Sequence, residues 1–256
     1  MSTIVLVSGA WHGRWCWEEL FPLLREKGHD VIAPELLGMG GDATPLSEVS
    51  LARWADQIAE IVKAQNGPVA LLGHSRGGVV ISEVAQRVPE SIGLLIYLSA
   101  FLLRDGETLG GTIAQATGGS KPSFLVPGPD GTTTTVVKEA VGKVFYNVTP
   151  PELVRRAEAA MGPEPMVVFG TPLRLSEDRF GQVPRTYIEC LHDNAVPIAL
   201  QRAMQAHLPC RPVRTLDTDH CAFFSSPTTL AEAIDSLARA DLRSPAHNDR
   251  SAEKNA

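Results

Sequence analysis

Apolar residues fall along this chain in two alternating textures: short β-rich runs, and longer stretches whose apolar positions recur every three or four residues. Ile4-Val5-Leu6-Val7 is the first run and stops at Ser8-Gly9-Ala10. Trp17, Leu20, Phe21 and Leu24 then mark one face of a helix from Trp17 to Glu26. Gly28 follows in the position glycine favours after a helix, and Val31-Ile32-Ala33 is a second strand halted by Pro34. Beyond a Gly- and Pro-rich loop from Glu35 to Pro45, a helix from about Ser50 to Ala64 takes Ser50 as its N-cap. Pro68 to Leu72 reads as a strand and Val79 to Ala85 as the helix after it. The nearly continuous apolar run from Ile92 to Ser99 suits a strand buried on both faces of a parallel sheet.

The rhythm breaks from about Arg104 to Gln182. Gly110-Gly111, Gly118-Gly119, the Pro-Gly-Pro at 127–129 and the run Thr132 to Thr135 interrupt any regular period, and a helical pattern returns only near Pro151 to Met161. Residues 104–182 are therefore expected to be an inserted cap, and a loop region of this size is usually functional. The core pattern resumes with a strand at Arg185 to Cys190, a helix from about Ile198 to His207, a strand at Val213 to Leu216 and a last helix from about Thr228 to Arg239. The core is thus 1–103 with 183–242, and the aperiodic, polar segment 243–256 is expected to be a disordered tail. Strand–helix alternation of this kind predicts an α/β fold with a mainly parallel, doubly covered sheet and a site at the carboxyl ends of its strands.

Composition narrows the partners. The chain has 256 residues, 44% hydrophobic and 20% charged, with a formal net charge of −6 and no cluster of lysine or arginine. Nucleic acid and anionic membrane surfaces are poor partners for such a chain. No 18-residue apolar span and no charged leader are visible, so a cytoplasmic location is expected by default. Cys16, Cys190, Cys210 and Cys221 lack C-x-x-C spacing and read as reduced thiols. No His/Asp/Glu cluster has metal-ligand spacing, so neither metal nor cofactor is expected; a monomer and a homodimer stay equally open.

Chemistry concentrates at Gly73-His74-Ser75-Arg76-Gly77, lying between a strand and a helix. In such a G-x-S-x-G elbow the serine occupies a strained turn and its hydroxyl stands at a helix N-terminus, where backbone N–H groups favour developing negative charge. A serine hydroxyl needs an adjacent base, and the base needs a group to fix its tautomer. Asp193 follows the strand ending at Cys190, and His220 lies just past the last strand, giving the chain order serine, acid, histidine. Asp217 and Asp219 also lie near His220, but turn and capping roles suit residues so close in sequence. Oxyanion donors are expected from the backbone N–H of Arg76, after the nucleophile, and of Ala10, where Gly9 frees the first loop. His12 and His74 sit near the predicted site, to touch substrate or to brace loops. Trp11, Phe101, Leu102, Phe124, Phe145, Tyr146 and Phe169 suggest an apolar pocket, with Trp11, His12, Phe101, Phe124 and Tyr146 as the candidate substrate contacts.

These residues resemble the α/β-hydrolase superfamily, in the branch that holds plant methylesterases, hydroxynitrile lyases and bacterial serine esterases. The likeness runs to about residue 240 and is strongest at Val5 to Gly13, Trp15-x-Trp17, Gly73 to Gly78, Tyr187 to Cys190 with Asp193 and Pro197, and Asp219-His220. It implies an α/β-hydrolase fold with a six-stranded sheet, Ser75, Asp193 and His220 as a triad, and Ala10 with Arg76 as oxyanion donors. Two positions depart from the family pattern: Ser8 stands where a histidine is usual, and Arg76 where an apolar residue is usual. Lyases of the branch carry threonine in the first loop and lysine after the histidine; Ala10 and Cys221 occupy those positions here, and a thiol does not replace a fixed ammonium. The expected activity is therefore a serine esterase acting on a small, largely apolar ester through an acyl-enzyme. The alternatives are a lyase, a cofactor-free oxygenase or a cyclisation enzyme using His220 as base, and a non-catalytic small-molecule binder.

Overall fold

Six short strands line up side by side in the main sheet, apolar on both faces at its centre and partly polar and exposed at its two edges. The computed structural model describes residues 2–120 and 122–241, so the expected tail at 243–256 lies outside the described residues. In chain order, and counting three that form a second sheet, the strands of the described residues are β1 (Thr3–Val7), β2 (Asp30–Ile32), β3 (Val69–His74), β4 (Ile92–Leu98), β5 (Leu125–Pro127), β6 (Thr133–Val136), β7 (Glu164–Pro165), β8 (Arg185–Cys190) and β9 (Val213–Leu216). The main sheet has the order β2-β1-β3-β4-β8-β9, every pair parallel. Its central strands β3 and β4 are buried throughout, which is why they carry no polar alternation.

Helices α1 (Leu20–Glu26), α2 (Leu51–Lys63) and α3 (Gly77–Arg87) belong to the first half of the chain. The α2 helix starts where Ser50 Oγ accepts from the Arg53 N–H, and its buried stripe Leu51, Trp54, Ala55, Ile58, Ala59 and Val62 packs on α3. The first turn after β1 is tighter than the sequence suggests: Arg14–Trp17 forms a 3₁₀ turn, and α1 starts only at Leu20. After β8 come α8 (Ile198–His207), α9 (Ala222–Ser225) and α10 (Pro227–Asp241), the last packing on α1.

The segment between β4 and β8 is more regular than its composition suggests. It holds α4 (Leu109–Ala116), α5 (Lys138–Phe145), α6 (Pro151–Ala160) and the short α7 (Val167–Gly170), besides an antiparallel sheet in the order β5-β6-β7. The expectation of helix only near 151–161 is therefore corrected. Gly110-Gly111 does not break α4, because Thr108 caps the helix by accepting from the Gly111 N–H. Gly110 also lets α4 pack on α7: a Cβ there would lie 3.1 Å from the Phe169 carbonyl oxygen. The threonine run builds β6, as β-branched residues favour. Among the described residues, no helix is long and apolar enough to cross a membrane.

Candidate active site

The loops after β1, β3, β4 and β8 contribute to the wall of one cavity, and His220, past the end of β9, lies behind that wall with its ring centroid 5.7 Å from that of the lining residue Phe145. Ser75 immediately follows β3 in the left-handed region, with φ of 53°, a conformation rare for a side chain with a Cβ. The turn is held from three sides: its N–H donates to the Leu98 carbonyl (3.2 Å), and its carbonyl accepts from Gly78 and Phe101 (3.0 Å each). Strain of this kind concentrates at functional sites, where the surroundings over-determine it.

Asp193 and His220 are brought together as the sequence predicts. Asp193 Oδ2 lies 2.7 Å from His220 Nδ1, both residues buried. Asp193 Oδ1 accepts from the Ala195 and Val196 N–H groups at 2.7 Å each, and Oδ2 also accepts from Ser99 Oγ and, at 3.4 Å, from Gln201. With Nδ1 turned to Asp193, Nε2 is the ring nitrogen left for the serine. His74, next to Ser75 in the chain, ties the two loops: its Nε2 is 2.9 Å from the His220 carbonyl, and the ring centroids are 4.5 Å apart. A direct Ser75–His220 hydrogen bond is not among those the structure forms; catalytic contacts of this type commonly tighten only with substrate bound.

Neither neighbouring aspartate reaches the His220 ring. Asp217 pairs at the surface with His192 (2.6 Å). Buried Asp219 accepts from Thr149 Oγ1 (2.8 Å), Val148 N–H (3.0 Å) and Cys221 N–H (3.1 Å), fastening the His220 loop to the segment between α5 and α6.

Ser75, Ala10 and Arg76 all line a cavity of about 720 Å³, together with Trp11, Phe101, Phe124, Phe145 and Phe169. That size and apolar lining suit a small-molecule site. His12 and Tyr146, expected as substrate contacts, are not in its wall. Both are buried behind it, 2.5 Å apart from Nε2 to Oη, and His12 Nδ1 lies 2.6 Å from the Ala10 carbonyl. Their burial is the physical reason for the correction: His12 braces the loop that carries Ala10. Burial pushes the His12 imidazole down to about 4, and drives His74 well below the ordinary histidine range. Both rings are neutral at pH 7. The two departures from the family pattern also find partners. Ser8 Oγ donates to the His12 carbonyl (3.3 Å), and the Arg76 guanidinium pairs with Glu164 (2.9 Å), donates to the Gly9 carbonyl (2.8 Å) and lies 4.3 Å from the Trp54 ring centre.

Sequence reasoning missed Glu164, Ser99 and Gln201. Ser99 carried no sequence signal of its role: its φ of 41° at the carboxyl end of β4 shows only in the structure. Glu164 had none, because its partners Arg76 and Trp11 lie 88 and 153 residues away. Among the described residues, no group of three or more His, Cys, Asp or Glu side chains is arranged to hold a metal ion.

Residues 4–233 match the model of the alpha/beta hydrolase family. The chain is a member of that family. The hydrolase is 34% identical over 262 residues to a pyrethroid hydrolase of Sphingobium wenxiniae, spanning 94% of this chain and 89% of that protein. It is 29% identical to methylesterase 7 of Arabidopsis thaliana, over 90% of this chain and 94% of that one. The crystal structure of a pyrethroid hydrolase from Sphingobium faniae superposes on it with a TM-score of 0.82 at 33% identity, covering 95% of this hydrolase and 99% of that chain.

Proposed function

We propose that this hydrolase cleaves carboxylic esters of apolar molecules through an acyl-enzyme on Ser75. Ser75 Oγ attacks the ester carbonyl while His220 Nε2 takes its proton, and the Ala10 and Arg76 backbone N–H groups receive the oxyanion. The alkoxide leaves with the proton returned by His220; water, activated by the same ring, then releases the acid. Asp193 keeps Nδ1 protonated and balances the imidazolium that forms. The observation that carries the reading is the left-handed Ser75 facing an aromatic cavity, with the His220–Asp193 pair beside it. The activities named for the pyrethroid hydrolase and the methylesterases support an ester as substrate. Ala10 and Cys221 speak against cyanohydrin cleavage: Cys221 is buried, and burial raises its thiol well above the ordinary range, so no charge is offered there. Four free, buried thiols fit a reducing compartment, and a cytoplasmic location is part of the reading.

The test is a series of nitrophenyl esters from acetate to hexanoate. Each acyl methylene buried in the cavity contributes about 0.8 kcal/mol, so kcat/KM is expected to rise about fourfold per step until the cavity is filled. Ser75→Ala is expected to lower it on the order of 10³-fold or more. A flat series, or Ser75→Ala as active as the parent, contradicts the proposal.

A further inference from the structure

The two loops that carry the proposed oxyanion donors are joined by one carboxylate from the segment between β4 and β8. Glu164 Oε2 accepts the Trp11 N–H (3.0 Å), and Trp11 directly follows Ala10 in the first loop. Glu164 Oε1 accepts from Arg76 Nε (2.9 Å), on the residue after Ser75, and Arg76 Nη2 closes the ring on the Gly9 carbonyl (2.8 Å). All of these groups are buried, Arg76 and Glu164 completely. Trp11 itself is held in the left-handed region, with φ of 62°. The same segment fixes it twice more: the Trp11 carbonyl accepts from Gly162 (3.1 Å) and its indole donates to the Thr134 carbonyl (3.2 Å). The Ala10 N–H shares its peptide with the Gly9 carbonyl that Arg76 holds, and the next peptide is held through the Trp11 N–H, so the peptides on both sides of Ala10 are anchored through Glu164 and its partner; oxyanion donors act only within a few tenths of an ångström of their target.

We propose that Glu164 is a positioning residue for the oxyanion site: by accepting the Trp11 N–H and pairing with Arg76, it holds the Ala10 and Arg76 amides in register. The role rests on the esterase reading above. It makes closure of the β7 strand over the first loop a condition of fast acylation, not of substrate binding.

Removing Glu164 alone strands the Arg76 charge in the interior, so the comparison uses two charge-free pairs. Glu164→Gln/Arg76→Met keeps an acceptor for the Trp11 N–H; Glu164→Leu/Arg76→Met does not. The second is expected to have a kcat lower than the first by roughly tenfold to a hundredfold, short of the 10²–10³ for losing a donor outright. KM should stay within about twofold. Affinity for an alkyl trifluoromethyl ketone, whose serine adduct carries the oxyanion, should fall by the same factor as kcat. Equal kcat in the two pairs, or losses in KM as large as those in kcat, overturns the role. Glu164→Asp, which keeps Arg76 paired but shortens the reach, gives a second reading: kcat and ketone affinity fall together while KM holds, and an unchanged kcat overturns the role. If the parent enzyme neither turns over esters nor binds the ketone, it is the esterase reading that fails.

Discussion

Five donors converge on the Asp193 carboxylate: the Ala195 and Val196 amides, Ser99 Oγ, Gln201 Nε2 and His220 Nδ1. Such a set leaves the acid one orientation and so fixes the imidazole. Asp193→Asn keeps the shape but offers Nδ1 an amide N–H, which selects the wrong tautomer; kcat should fall by on the order of 10⁴ with folding intact. A loss under tenfold would place the orienting role elsewhere. His12 makes a second residue-scale prediction. Its folded pKa, about 4, lies below the ordinary 6.5, so the unfolded chain binds the extra proton between those values. The stability it contributes is complete above about pH 6.5 and is lost as pH falls through about 4, on the order of 3 kcal/mol in all. Urea midpoints measured from pH 7 to pH 4 should fall, and His12→Asn should flatten that limb; an equally steep fall in the variant would remove His12 from the account. The triad candidates were legible because each stands just past a run of strand formers. Ser99 and Gln201 were not, since a serine after a strand and a glutamine in a helix are ordinary until Asp193 is placed between them.

At the scale of elements, the α3 helix stands against the chain leaving β4. A Cβ on Gly78 would sit 2.3 Å from the Phe101 carbonyl oxygen, and that oxygen belongs to backbone that cannot step aside. Gly78→Ala should therefore destabilise by about 1–3 kcal/mol or more, read from denaturant midpoints, and lower activity by tilting α3 away from Ser75. A variant as stable and active as the parent would show that the approach is looser than drawn. The strands of the main sheet were legible from their apolar runs and stops, and α8 and β9 match their sequence ranges. The elements between β4 and β8 were not, for a physical reason. Glycine in α4 serves close packing on α7, and the two-residue β7 exists only through pairing with β6. Neither fact leaves a local period.

The whole molecule is a parallel sheet whose site is roofed by the segment between β4 and β8, stitched down at separated points. Arg156 of α6 reaches Glu18 and Glu19 (2.6 Å each), Asn194 donates to the Lys143 carbonyl (2.9 Å), and Glu164 is locked to Arg76. The cavity beneath extends past Leu200 and Met204 of α8 toward His207. Leu200→Trp should shorten it there, so that kcat/KM for a bulky aromatic ester falls at least tenfold while that for the acetate changes little. Equal losses on both would mean that substrate does not extend along α8.

The central claim is covalent chemistry at Ser75. The most direct measurement is a stopped-flow assay with nitrophenyl trimethylacetate, whose hindered acyl group leaves the enzyme slowly, followed by intact-mass analysis of quenched protein. A burst near one equivalent of nitrophenolate and one added acyl group on Ser75 are expected, both absent from Ser75→Ala. Linear release with no adduct, or the same trace from both proteins, would contradict it.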